Sequence, residues 1–101
     1  MPEPETRTNA RFLILTSLAS GPKHGYAMVT DIAQFSGVRL GPGTLYAALQ
    51  RLEGEGLIQP IPSPDRRRPY RITASGQTML RADADDARRV AGVAARRLAP
   101  R

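Results

Sequence analysis

The placing of the helix breakers constrains this chain more than any other feature. Gly21-Pro22, Gly37, Gly41-Pro42 and Gly56 cut its first half into three helix-length pieces, because glycine and proline start or stop helices through backbone freedom and a missing amide hydrogen. Thr8 or Asn9 can cap a first helix carrying Phe12, Leu13, Ile14, Leu15 and Leu18. That helix is apolar on more than one side, so cover is expected from its own domain and from a second subunit. A second helix fits residues 25 to 36, with Tyr26, Val29, Ile32 or Ala33, and Phe35 close to a helical stripe. A third starts at Pro42, a residue suited to the first helical position, and carries Leu45, Leu49 and Leu52 at steps of four and three.

Beyond Gly56 the period changes. Leu57, Ile58 and Ile61, then Tyr70 and Ile72, flank a polar stretch from Pro62 to Pro69 and predict two short strands around a loop. Pro60 and Pro62 cannot donate to a ladder, so the first strand should be short or bent near its end. From Thr73 onward Leu80, Ala84, Ala87, Ala91, Ala94 and Leu98 alternate steps of four and three, a stripe that asks for a partner helix. Residues 1 to 7 are polar with two prolines and predict a frayed tail. The expected organisation is therefore a tail (1–7), one domain of three helices and a hairpin (8–73), and a C-terminal helix (74–101).

Charge and composition narrow the function. At 101 residues the chain fits one domain with a modest core, to which a second subunit would add burial. Fifteen basic against nine acidic residues give a formal charge of +6, which favours a polyanionic partner. All the basic residues but Lys23 are arginine, whose planar fork suits phosphate and guanine edges, although arginine-rich usage also follows from a GC-rich genome. The absence of cysteine excludes disulfides, thiolate zinc sites and cysteine nucleophiles. Phe12 to Ala19 resembles a signal-peptide core, but Glu3 and Glu5 precede it and Thr16 and Ser17 interrupt it, so it reads as a core helix. No apolar run approaches the roughly 20 residues of a bilayer span. A soluble cytoplasmic protein with no membrane partner and no cofactor is expected.

The order helix, helix, turn, helix, hairpin matches a winged helix-turn-helix, a mainly α fold with a small β-hairpin, in which the third helix enters the DNA major groove. Particular residues sharpen this. Gly21-Pro22-Lys23-His24-Gly25-Tyr26, Gly41-Pro42-Gly43-Thr44-Leu45-Tyr46-Ala47-Ala48-Leu49, Arg51-Leu52-Glu53, Glu55-Gly56-Leu57-Ile58 and Arg67-Arg68-Pro69-Tyr70-Arg71-Ile72-Thr73, on to Gly76, resemble the PadR-like family of transcriptional regulators. The resemblance spans about residues 12 to 76. It implies a dimeric bacterial repressor on double-stranded DNA with a pseudo-palindromic operator, joined through C-terminal helices, and in some members released by a phenolic or other aromatic effector.

The residues themselves supply candidate contacts. The third helix offers unpaired N–H groups at its start, and Gly43 lets a phosphate approach. Thr44 can donate to phosphate or touch a thymine methyl, and Gln50 can pair with adenine or remain solvated surface. Tyr46 can pack inward or reach a phosphate with its hydroxyl. Lys23 and His24 precede the second helix, where a cation and a helix N-terminus together suit phosphate; with neither cysteine nor clustered carboxylates nearby, His24 is a poor metal ligand, and no metal site is expected. Tyr26 is expected in the core. Arg66, Arg67 and Arg68 occupy the wing tip, where they can track a backbone, enter a minor groove or stand as a solvated charge run; their position after a helix-turn-helix favours DNA. Arg39 and Arg51 are further phosphate candidates. Phe12, Leu15, Leu80, Ala84, Ala87, Ala91, Ala94 and Leu98 are expected at the dimer interface.

Departures from the family pattern matter too. Gly41 stands where relatives commonly carry serine, removing a capping hydroxyl at a cost of a few tenths of a kcal/mol. Pro60, Pro62 and Pro69 make an unusual wing, and the C-terminal helix lacks aromatic residues, so no effector ligands are assigned. A winged-helix module for protein–protein interaction is the alternative function. Residues 39 to 71 hold six arginines against three acids, a concentration that favours DNA. Enzymatic activity is not expected: Asp83, Asp85 and Asp86 lie beside Arg88 and Arg89, which reads as surface ion pairing.

Overall fold

Local signals in the chain account for each helix boundary in the computed structural model, which describes residues 9–64 and 66–100. Helix α1 runs Ala10–Ala19, and the Asn9 side chain accepts the Arg11 N–H at 2.9 Å, satisfying one of the amides a helix start leaves unpaired. Helix α2 runs Gly25–Ser36, with His24 as its cap and Gly37 as its stop at φ 75°, a left-handed conformation where a Cβ would strain the chain. Helix α3 runs Pro42–Gly54 with proline in its first turn and no side-chain cap from Gly41. Strands β1, Ile58–Pro60, and β2, Tyr70–Ile72, form an antiparallel hairpin. Helix α4, Ala74–Leu98, follows at once, capped by the Thr73 hydroxyl, which accepts the Gly76 N–H at 3.0 Å. The expected tail over residues 1 to 7 and the alternative cap Thr8 lie outside the described residues.

The core lies where the first three helices meet under the hairpin. Leu13, Ile14, Leu15 and Leu18 from α1 pack with Met28 and Ile32 from α2, Leu45, Ala48, Leu49 and Leu52 from α3, and Leu57 and Ile58. Each large aliphatic side chain fully withdrawn from water contributes roughly 1.5–3 kcal/mol. Two expectations need correction. Leu15 is completely buried within its own domain and presents nothing to a partner. On α2 the buried stripe is Gly25, Met28 and Ile32, while Tyr26 is 77% exposed and Phe35 46% exposed. The helix is rotated from the periodicity reading because its N-terminus packs against α3: a Cβ on Gly25 would lie 3.2 Å from the Leu45 side chain.

The hairpin is shorter than Leu57 to Ile61 suggested. Its register is Ile58↔Ile72, Gln59↔Arg71 and Pro60↔Tyr70. The flanking amides are used all the same: Ile61 N–H donates to the Pro69 carbonyl at 2.8 Å, and Thr73 N–H to the Leu57 carbonyl at 3.0 Å. Lys23 adds a bridge on the other edge, exchanging two backbone hydrogen bonds with Tyr70 at 3.1 and 2.9 Å. The segment before α2 thus covers an edge that would otherwise leave amides unpaired.

The second apolar side of α1, for which a partner subunit was expected, meets α4 of the same chain. Met79 and Leu80 lean on the core, and the Arg11 guanidinium makes a two-pronged contact with the Asp83 carboxylate at 3.0 and 3.1 Å. Asp83 therefore differs from Asp85 and Asp86, which pair with Arg88 and Arg89 at 3.4 and 2.7 Å on the exposed surface of α4. Past Ala84 the helix runs out from the body, giving a molecule of 59 × 29 × 25 Å, and Val90 and Leu98 are 66% and 83% exposed. The join between α4 and the hairpin is tight, since a Cβ on Gly76 would run into the Leu57 carbonyl oxygen and the Ile72 side chain. Gly76→Ala should accordingly destabilise the protein by about 2 kcal/mol or more, read as a lower midpoint in thermal or urea unfolding, whereas Gly54→Ala, where the added methyl meets open space, should not.

Candidate nucleic-acid interface

Helix α3 divides into two faces. Leu45, Leu49 and Leu52 fasten it to the body, while Gly43, Thr44, Tyr46, Ala47, Gln50 and Arg51 are exposed. Arg51 flanks the α1 side, lining a hollow with Asn9, Ala10 and Arg11. Tyr46, 61% exposed, flanks the opposite side and faces the wing.

There the structure builds a cleft of about 460 Å³ from three separate elements. The start of α2 contributes His24, Gly25 and Tyr26, α3 contributes Tyr46, and the wing contributes Arg66, Arg67, Arg68 and Tyr70. All three tyrosines of the chain and its single histidine meet here. The combination offers hydroxyl, imidazole and guanidinium donors on one concave surface, the set that binds phosphate oxygens. Tyr26 and Tyr70 were missed as site residues. Tyr26 stands two positions from His24 in sequence, but its apolar ring read as core; Tyr70 sits at the cleft with Pro60 paired on one side and Lys23 on the other.

The two nitrogens of His24 have different tasks. Nδ1 accepts the Ala27 N–H at 3.3 Å, closing the start of α2, and Nε2 lies 3.3 Å from Nη1 of Arg67. The imidazole thus stands between the start of α2 and the wing, side by side with the Arg67 guanidinium at the cleft.

Lys23, expected at this surface, is turned inward. Its Nζ donates to the Ser17 carbonyl at 2.5 Å, the Ser20 hydroxyl at 2.7 Å and the Gly21 carbonyl at 3.3 Å, and it lies 4.0 Å from Asp31. These contacts satisfy carbonyls at the end of α1 and fix the turn into α2. Arg71 is held across the hairpin by Gln59 at 3.0 and 3.2 Å. Arg39 is exposed in the loop before α3. Of the residues expected between subunits, Phe12, Leu80, Ala84 and Ala87 are half-buried and Ala91, Ala94 and Leu98 exposed. Among the described residues there is no grouping of three or more His, Asp or Glu that could hold a metal ion, and no helix long and apolar enough to cross a membrane.

Three helices, a hairpin wing and a basic cleft beside an exposed third helix define a winged-helix protein. Residues 14–82 match the PadR-like family of transcriptional regulators, and the chain belongs to that family. It is 37% identical over 80 residues to the transcriptional regulator Rv3488 of Mycobacterium tuberculosis, covering 76% of this chain and 74% of that protein. It is 47% identical over 87 residues to a 37.1 kDa protein of transposon Tn4556 from Streptomyces fradiae, covering 85% of this chain but only 25% of that longer protein. A PadR family regulator from Clostridium difficile superposes with a TM-score of 0.80 at 26% identity, covering 89% of this chain and 98% of that one. The family is one of transcription regulators and not of enzymes.

The inward course of Lys23 separates stability from binding. Lys23→Ala should lower unfolding free energy by about 1–2 kcal/mol and leave the salt dependence of DNA binding unchanged, measured by urea unfolding beside a salt titration.

Proposed function

We propose that the chain is a homodimeric, sequence-specific repressor that binds a pseudo-palindromic operator and excludes polymerase from it. The observation that carries this reading is the gathering of the exposed face of α3, the start of α2 and the arginine wing tip on one side of the domain. In this arrangement Thr44, Tyr46 and Gln50 enter or border the major groove, Gly43 allows close approach, and His24, Arg39 and Arg51 meet flanking phosphates. Arg66, Arg67 and Arg68 follow the adjacent backbone. The DNA-binding unit is residues 8–73 and the dimerisation segment residues 74–101, of which α4 forms Ala74–Leu98.

Dimerisation rests on α4, which carries Ala87, Ala91, Ala94 and Leu98 along one stripe beyond its own domain. Small side chains let two helices approach closely, with Phe12 and Leu80 at the root of the contact. Two copies then place their α3 helices about 34 Å apart, one turn of DNA. The protein acts in the cytoplasm, where DNA is accessible.

Two measurements test the assembly. Sedimentation equilibrium should give a dimer at micromolar concentration, and Ala91→Glu should shift it to monomer with loss of operator affinity; a strictly monomeric wild type would refute the dimer. Hydroxyl-radical footprinting should show two symmetric half-sites. Replacing Arg66, Arg67 and Arg68 together by alanine should weaken binding to all sequences alike and reduce the slope of log K against log salt by roughly one to three.

A further inference from the structure

Resting on the proposed insertion of α3 into the major groove, we infer that this helix reads DNA with a nearly bare face, so that the Gln50 amide and the Ala47 methyl set base preference. Gly43, Ala47, Gln50 and Gly54 follow one another at steps of four, three and four and so share one face of α3. All four are exposed. The larger exposed side chains, Thr44, Tyr46, Arg51 and Glu53, fall to either side of this line, with Tyr46 in the wing cleft and Arg51 in the hollow beside α1.

The two glycines show that the bareness is not required by the fold. A Cβ built on Gly43 or on Gly54 meets no atom within 4 Å. Neither glycine has a positive φ. Gly43 lies in the first turn of α3 and Gly54 is its last residue; helices favour alanine over glycine, and packing demands glycine at neither position. Close approach to a surface outside the chain accounts for both. With no side chain at either end of the line, the helix axis can sit deeper in the groove, bringing the short Ala47 and the Gln50 amide to the base edges.

The chemistry then names the bases. A glutamine amide forms two hydrogen bonds with adenine through N6 and N7, and an alanine methyl packs on a thymine methyl. The preferred half-site therefore contains an A·T pair read by Gln50, and a neighbouring thymine touched by Ala47. No arginine lies on the line, so the usual bidentate reading of guanine is absent from it.

The test is selection of duplexes from a randomised library by the full-length protein, with affinities measured on the enriched duplex. Wild type should prefer A·T at one position per half-site by roughly ten- to a hundredfold, and Gln50→Ala should enrich the same motif with that position flattened. Replacing the neighbouring thymidine by deoxyuridine should weaken wild type several-fold and leave Ala47→Gly unaffected. Gly43→Ala should raise the melting temperature while lowering affinity for the enriched duplex, a pairing that loss of folding cannot produce. An unchanged motif in Gln50→Ala, or unchanged affinity in Gly43→Ala, would overturn the inference while leaving DNA binding intact. No binding to any duplex at low salt would instead overturn the reading on which it rests.

Discussion

Two backbone hydrogen bonds between Lys23 and Tyr70 join parts of the chain 47 positions apart and decide where the functional surface lies. They tie the base of the hairpin to the turn that enters α2 and so set the wing beside His24 and Tyr26. The turn is itself fixed from below by the Lys23 ammonium on the carbonyls closing α1. Backbone pairing on one side and a charged cap on the other hold this short segment in one conformation. Without it the cleft would lose its α2 wall or its wing wall, and the exposed face of α3 would have no adjoining basic surface.

The helix α1 serves the body as Lys23 serves the site. Its apolar residues supply a third of the buried core positions, and its polar edge takes Asp83 from α4 through Arg11. The first part of α4 is thereby committed to the domain. Its last turns, rich in alanine and arginine with only Val90, Val93 and Leu98 as larger apolar side chains, gain no such cover from their own chain. This helix of 25 residues, about 37 Å long, is thus anchored to the domain at its beginning, while Val90 and Leu98 farther along it stay exposed.

Much of the fold was legible because the punctuation is strong. Gly37, Gly41-Pro42 and Thr73 mark helix boundaries by mechanisms that act locally, and Leu45, Leu49 and Leu52 identify the buried face of α3 by spacing alone. What failed to show was rotation and long-range pairing. The α2 periodicity pointed Tyr26 inward because a tyrosine ring counts as apolar; the glycine at position 25, which sets how closely α2 meets α3, carries no hydrophobic signal. Lys23 read as a surface cation because nothing in sequence reports that three acceptors converge on it. Leu15 looked available to a partner on a helix apolar on more than one side, because spacing does not report that its own chain buries it completely. The candidate DNA contacts on α3 and the wing tip were named from sequence, while their meeting with Tyr26 and Tyr70 in one cleft follows from the hairpin register and the Lys23 bridge.

The central claim is that this surface reads a particular DNA sequence. Fluorescence anisotropy of the full-length protein against the DNA upstream of its own gene and against a scrambled duplex, across a salt series, tests it most directly. The account predicts a preference of at least roughly a thousandfold for the upstream DNA together with a steep loss of affinity as salt rises. Absence of binding to either duplex at low salt would contradict it and leave the basic cleft as a surface for a protein partner.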